Sequence, residues 1–232
     1  MNKKIIALCL IFLFLITPCF ATEAYEFAKS YINGLTLLVI NQEKAEVEAL
    51  RNDTSDAGTG FIRMFSELRQ SIQRLKNAKV YIEPYLNSQN KYIKEAAAVI
   101  MITYDYKIKV SDQMLKLYED MVSKPQEFDE GKFVVGSGKL DADNEEAWNL
   151  LNNCSVLMTY CLVDPKPDKN GKLSYLLITS AERKDLIKDI DNLYGDSVKN
   201  GLKVGQNKLQ VCGSLIKQVL IGEHKSADER KE

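Results

Sequence analysis

Apolar residues recur every three or four positions through almost the whole chain, which is the pattern of amphipathic α-helices. The first predicted helix covers residues 23–50 and ends before a run of turn-forming residues at 52–58. A second helix covers residues 61–86, with apolar residues spaced alternately by four and three as in coiled-coil packing. Pro84 should kink this helix or mark its last turns.

A third helix is predicted at residues 91–122, with Leu115, Tyr118 and Val122 among the side chains expected to face inward. Only a short turn separates it from the second helix. Two long helices joined in this way form an antiparallel hairpin, the basic unit of a helical bundle. We therefore place this hairpin at the centre of the predicted fold.

The segment from Lys124 to Asp141 interrupts the helical pattern. Pro125 and three glycines surround the apolar patch Phe133–Val135. A long connection without regular structure is unusual in a compact domain and is often functional. We expect a loop or short hairpin in which Phe133 packs on the bundle, with a partner-contacting loop as the alternative.

Two capping boxes predict where later helices begin. Asp143 is followed three residues later by Glu146, and Thr179 is followed by Glu182 at the same spacing. Gly195 is a natural helix-ending residue. The last three helices are then expected at 143–162, 179–194 and 196–221. The predicted fold is an all-α antiparallel bundle of about six helices, forming one domain over residues 22–222.

The first 21 residues have the features of a secretory signal peptide. Lys3 and Lys4 precede an apolar run, and the small residue Ala21 stands before a polar segment. We predict cleavage after Ala21. An acylated Cys19 is a weaker alternative, and the apolar run is short for a retained membrane anchor of about 20 residues. The mature protein is thus expected to be exported, to the periplasm of a Gram-negative cell or otherwise to the outside.

Charge narrows the possible partners. The leader holds two lysines and no acidic residue, and the whole chain carries 31 basic and 32 acidic side chains, so removing it changes the net charge from −1 to −3. A nucleic-acid-binding domain should carry a basic excess, so we expect no nucleic-acid partner. No later segment has the length of a membrane span. Residues 223–232 are predicted to be a charged tail.

The near absence of histidine argues against most enzyme classes. His224 is the only histidine and lies in the tail, so Ser-His or Cys-His nucleophilic sites and Glu-x-x-His metal sites are not expected. Phosphate-binding glycine motifs are also missing. We assign no catalytic, cofactor-binding or metal-binding residue and predict that the protein is not an enzyme.

One loop has a partial resemblance to a calcium-binding loop. Asp168, Asn170 and Gly171 are spaced like the middle of an EF-hand loop. In that alignment Lys166 and Leu177 occupy the first and twelfth positions, so the two end ligands are lost. The resemblance does not support a calcium site.

Three cysteines remain in the predicted mature chain. In a helix, Cys154 and Cys161 would be separated by about 10.5 Å along the axis, more than the roughly 7 Å Cα separation that a disulfide spans. Counting from predicted helix starts near Glu145 and Ser197 places Cys161 and Cys212 at matching heights. We predict a disulfide between Cys161 and Cys212, with a bond between Cys154 and Cys212 or three free thiols as alternatives.

These observations favour an exported helical bundle with a structural or protein-interaction role in the cell envelope, bound to a protein partner that the sequence does not identify. The alternative is a sensor or carrier that holds a small apolar or aromatic ligand between its helices. That alternative depends on a tyrosine-rich hairpin. Its residues are Tyr81, Tyr85, Tyr92, Tyr104 and Tyr106.

Overall fold

The computed structural model describes residues 22–51, 57–127, 129–164, 176–199 and 208–222. Three predicted segments lie outside this part of the chain: the leader, the tail at 223–232, and the calcium-like loop at 166–177 apart from its last two residues. Within it, six α-helices form an all-α bundle, as the sequence predicts. None of these helices combines the length and the apolar composition that crossing a bilayer requires.

The helices are numbered in chain order. They are α1 Glu23–Arg51, α2 Ala57–Ile82, α3 Lys91–Ser123, α4 Glu130–Leu162, α5 Ser180–Lys199 and α6 Lys208–Ile221. Short 3₁₀ turns at Glu83–Asn87 and Pro125–Glu127 precede α3 and α4. After α4 the chain is held by a hydrogen bond from the Leu177 amide to the Leu162 carbonyl, 2.8 Å long.

Side-chain caps define two helix starts. The Asn90 side chain accepts hydrogen bonds from the amides of Tyr92, at 3.0 Å, and Ile93. The predicted capping box of α5 is confirmed: the Thr179 amide donates to Glu182 Oε2 at 2.7 Å, and the Glu182 amide donates to Thr179 Oγ1. These reciprocal bonds satisfy amides that would otherwise lack partners in the first helical turn.

The prediction of a loop or hairpin at 124–141 is wrong over most of its length. α4 begins at Glu130, where the Asp129 carboxylate accepts a hydrogen bond from the Lys132 amide at 3.0 Å. The predicted capping residue Asp143 therefore lies inside α4. A glycine in a helix costs about 1 kcal/mol relative to alanine, but packing of the Phe133 ring edge-on against Tyr118, 5.8 Å between centroids, favours the helix.

The predicted boundary between the last two helices is also wrong. α5 does not end before Gly195 but continues to Lys199, and α6 begins at Lys208. A single helical glycine costs about as much free energy as one or two ordinary interactions contribute. Its position in the sequence alone therefore does not decide where a helix ends.

The predicted hairpin of α2 and α3 is present. Ion pairs join Arg69 to Glu119 and Lys79 to Asp105, both at 2.5 Å, and this order shows that the helices run antiparallel. On the other side of α2, α1 packs with its backbone close to the neighbouring helix. A Cβ atom placed on Gly34 would lie 3.5 Å from the Ala78 Cβ.

The buried core occupies one end of the long α3–α4 hairpin. Buried residues extend along α3 to Ser111 and along α4 from Ala147. At this end α1 and α6 pack against α4, and α5 packs against α1 and α6. At its limit the Lys107 ammonium lies 4.4 Å from the centre of the Trp148 ring, a cation–π contact.

Beyond that limit lies a segment that we call the distal arm, residues 112–123 of α3 and 130–146 of α4. No residue of the distal arm is fully buried in the described structure. Leu115 and Tyr118 are half-buried, but Val122 is 49% exposed, so its predicted inward orientation is wrong. Inward spacing along a helix produces burial only where neighbouring helices cover that side of it.

Candidate functional site

The three cysteines of the bundle are free thiols in the structure. Cys161 donates to the Tyr92 carbonyl of α3, with the sulfur 3.6 Å from the oxygen. Cys212 on α6 instead donates to the Asn152 side-chain oxygen of α4, 3.0 Å away. The Cys161–Cys212 disulfide stays a prediction, but these two thiols have partners on different helices.

The count that matched Cys161 with Cys212 used helix starts that the structure does not have. It began near residues 145 and 197, whereas α4 begins at Glu130 and α6 at Lys208. Cys154 is the thiol that shares the surroundings of Cys212, because both lie close enough to Tyr31 and Tyr104 to perturb these tyrosines. Proximity therefore favours Cys154 as the partner if Cys212 is oxidised.

Around these two thiols the core holds a small polar cluster. The Tyr31 hydroxyl lies 2.9 Å from Ser155 Oγ and donates to the Leu151 carbonyl at 3.3 Å. Cys154 donates to the Thr103 hydroxyl at 3.4 Å. The neighbouring Tyr104 is fully buried, and its hydroxyl is the one buried side-chain polar atom of the described residues without a hydrogen-bond partner.

The protonation of the thiols indicates little reactivity. Burial raises the pKa of Cys161 to about 12 and that of Cys212 to about 11, and it also raises the pKa of Cys154. Since the thiolate is the nucleophile and the metal ligand, thiols with such high pKa values are poor at both roles. The described residues also contain no group of three or more side chains suited to hold a metal ion.

Among the described residues, the best-defined carboxylate cluster is Asp185 and Asp189 beside Lys29. Hydrogen bonds from Lys29 and Tyr25 lower the pKa of Asp185, and the Lys29 ammonium also lies 3.5 Å from Asp189. These contacts connect α1 to α5 and keep Asp185 ionised at neutral pH, so the group acts as a structural anion. The absence of catalytic activity stays a prediction.

Two open clefts stand out, and both lie between α3 and α4 on or beside the distal arm. One, of about 290 Å³, is lined by Leu117, Met121 and Phe133 among other residues. The other, of about 560 Å³, is lined by Val110, Leu117 and Leu140 together with three lysines and two aspartates. A carrier needs a site that encloses most of its ligand, whereas these clefts are on the surface and outside the buried core.

The tyrosines of the predicted ligand wall point in different directions. Tyr104 is buried in the core, Tyr85 is half-buried and packs on Phe27 at 4.8 Å between ring centroids, and Tyr81 and Tyr92 are exposed. Tyr106 donates to Glu146 across the hairpin at 3.2 Å. These tyrosines do not line a common cavity.

The α3–α4 hairpin exposes apolar residues on the side facing away from the rest of the bundle. We call this surface the outer face. It consists of Tyr92, Val99, Ile102, Val156 and Tyr160, all of them exposed. Ile102 and Tyr160 are the most exposed, at 69% each. Because the Cys161 thiol contacts the Tyr92 carbonyl, Tyr92 and Tyr160 lie at the same end of the hairpin.

The outer face carries little charge. Glu95 is the acidic residue between Tyr92 and Val99, and its carboxylate is paired with Lys91 at 3.8 Å. On α4 the positions preceding Val156 on the same side are Asn149 and Asn153, both uncharged. A surface rich in tyrosine and poor in charge has the composition found at the centres of protein interfaces.

The sequence carries a signal for the outer face. Residues 92, 95, 99 and 102 of α3 follow the same alternation of three and four as the buried residues 93, 97, 100 and 104. A helix with two such rows is expected to contact neighbours on two sides. The signal is weak because Glu95 interrupts the outer row.

Comparisons with known proteins give no further assignment. No protein-family model matches this chain, no curated protein matches it significantly, and no solved structure matches it significantly.

Proposed function

We propose that this protein is exported and has a structural or protein-interaction role in the cell envelope, and that its outer face binds the partner. The observation that carries this proposal is the outer face itself: five exposed apolar or aromatic residues on two adjacent helices. Large apolar side chains exposed together mark interaction sites on soluble proteins. The sequence features of the leader support export.

The chemistry of the outer face also describes the partner. Burying an unpaired charge is costly, so an interface with few charges selects a partner that also presents few. The antiparallel helices α3 and α4 present rows of side chains, and the side-chain rows of a third helix can interdigitate with them. We therefore assign the outer face to an apolar, uncharged helix side of another envelope protein.

The alternative role as a small-molecule carrier has less support. The side chains of the core fill the space between the helices; Tyr31, Leu35, Ile100 and Leu151 are fully buried. The two notable clefts are open and lie on or beside the distal arm. No observation in the described residues favours a ligand held inside the bundle.

Site-specific photo-crosslinking in the producing cells tests the proposal. A photoreactive phenylalanine is placed at Ile102 or Tyr160 and, as a matched control, at Val80, which is 65% exposed on α2. We expect one envelope protein to be crosslinked from both positions on the outer face and not from position 80. The adducts are identified by mass spectrometry.

Capture alone does not distinguish specific docking from incidental contact, so two variants accompany it. With the crosslinker at position 160, Ile102→Lys should abolish the adduct, and Val80→Lys should leave it intact. Equal adducts in all variants would refute the proposed surface. An adduct with the mass of two copies of this chain would show that a second copy, instead of another protein, occupies the outer face.

A further inference from the structure

Thr22 has three hydrogen bonds that depend on its position as the first residue before α1. Its hydroxyl accepts the Tyr25 amide at 3.2 Å, and its carbonyl accepts the Glu26 amide at 3.0 Å. Its own nitrogen donates to Glu182 Oε1 on α5 at 2.6 Å. Thr22 is thus the N-cap of α1 and at the same time contacts the first turn of α5.

Glu182 uses its two carboxylate oxygens in two directions. Oε2 accepts from the Thr179 amide and hydroxyl in the capping box, at 2.7 and 2.8 Å. Oε1 is directed at the Thr22 nitrogen. An anion at this place is favourable because it lies in the first turn of α5, where the helix dipole is positive.

Thr22 is also the residue that would begin the mature chain. Hydrolysis of the Ala21–Thr22 peptide bond by a signal peptidase consumes one water, leaves a carboxylate on Ala21 and converts the Thr22 amide into a protonated amine. An amide donates one hydrogen bond and carries no charge. The new ammonium group donates three and carries a full positive charge. In the structure the Thr22 nitrogen lies 2.6 Å from a carboxylate oxygen.

We infer that Glu182 is the binding site for the amino terminus that leader removal creates, and that the resulting ion pair joins the start of α1 to the start of α5. This inference rests on the cleavage that the proposed export requires. Charge-assisted hydrogen bonds are shorter and stronger than neutral ones, so the processed protein is more stable than a chain in which Thr22 remains an amide.

The ion pair has a specific pH dependence. An α-amino group in an unfolded chain titrates at about pH 7.7–8.0, and pairing with Glu182 raises the pKa of this group in the folded protein. The added stability is therefore fully present below about pH 7.7 and is lost as the pH rises through the folded-state pKa. The charged groups nearest in sequence are Glu23 and Glu26 on α1 and Arg183, Lys184 and Asp185 on α5. Burial raises the pKa values of the thiols and of Tyr25 in the folded protein. In the unfolded chain the thiols ionise at about pH 8.5, so they lower the stability of every variant alike as the pH rises. The difference between variants therefore reports the ion pair.

The experiment compares urea unfolding at pH 6.5 and pH 9.5 for the exported protein, Glu182→Gln and Glu26→Gln. Glu26 is an exposed acid of α1 and serves as the matched control. Between pH 6.5 and pH 9.5 the folded-to-unfolded ratio should fall about fivefold more for the wild type and Glu26→Gln than for Glu182→Gln. A fivefold change corresponds to the free energy of a favourable half-exposed ion pair. Glutamine can still accept the capping-box bond, so the variant should fold.

A second variant tests the inference without changing Glu182. Inserting Gly-Gln between Ala21 and Thr22 moves the new amine away from Glu182 and leaves Thr22 as an amide. The stability of this variant should depend on pH in the same way as that of Glu182→Gln. Equal pH dependence in all four proteins would overturn the inference. Intact mass gives the amino terminus. A first residue other than Thr22 would also overturn the inference about Glu182. The proposed protein interaction would still be decided by crosslinking from the outer face.

Discussion

Alanine substitutions in the glycine-containing start of α4 test whether this segment is helical, as the structure shows. Gly138 has open space where a Cβ would stand, and at Gly136 the nearest atoms are the Leu117 methyl groups at 3.7 and 3.8 Å. Each replacement removes the conformational cost of a helical glycine, about 0.8–1.0 kcal/mol. We expect Gly138→Ala to stabilise the protein by about 1 kcal/mol and the double variant by about 2 kcal/mol.

The measurement is urea unfolding followed by circular dichroism, combined with amide hydrogen exchange of residues 131–140. In thermal unfolding the double variant should melt about 4–8 °C higher, since 1 kcal/mol shifts a domain of this size by about 2–4 °C. Exchange of the α4 amides should slow in parallel, because exchange of these amides requires opening of the helical segment that the alanines stabilise.

Gly34→Ala is the matched control within a packed helix. A Cβ on Gly34 would lie 3.4 Å from the hydroxyl oxygen of Tyr104 and 3.5 Å from the Ala78 Cβ. Tyr104 is fully buried and has little room to move, so the gain in helix propensity should be reduced or reversed. If Gly138→Ala instead destabilised the protein by about 1 kcal/mol, the helical conformation of this segment would be refuted.

Two further tests concern the polar cluster of the core. Tyr31→Phe removes a hydroxyl that has two hydrogen-bond partners and should destabilise the protein by about 1–3 kcal/mol. Tyr104→Phe removes a hydroxyl without a partner and should be neutral or stabilising. Equal losses of stability in urea unfolding would contradict these hydrogen-bond assignments. Under oxidising conditions we expect any disulfide of Cys212 to involve Cys154, because both thiols lie beside these tyrosines. Peptide mapping of the unreduced, alkylated protein identifies the linked cysteines. A peptide that links Cys161 to Cys212 would instead confirm the pairing predicted from the sequence.

The helical architecture could be predicted because its signals are local. The third helix, predicted at 91–122, is observed at Lys91–Ser123, and the Thr179–Glu182 capping box begins α5 as expected. Caps and apolar periodicity involve residues within one or two helical turns, so they can be identified without knowing the rest of the fold. The glycines at 131–138 and at 195 do not interrupt their helices. The free-energy cost of a helical glycine is comparable to the stabilisation from the contacts that offset it.

The candidate sites were less accessible to sequence reasoning. Matching Cys161 with Cys212 required the relative heights of two helices, and both helix starts used for that count differ from those in the structure. The pairing stays a prediction. The outer face shows a three-four spacing in the sequence, but the same spacing in α3 also describes the buried side. Spacing shows that a helix has an apolar row and does not show which rows another helix covers.

The amino-acid sequence by itself determined the all-α class, the α2–α3 hairpin and the capped start of α5, because these depend on interactions between residues close in the chain. The tertiary structure alone decided that α4 extends through its glycines, that Cys154 shares the surroundings of Cys212, and that Ile102 and Tyr160 remain exposed. Each of these depends on contacts between residues far apart in sequence. Helix packing sets those contacts, and the periodicity of a single helix leaves them undetermined.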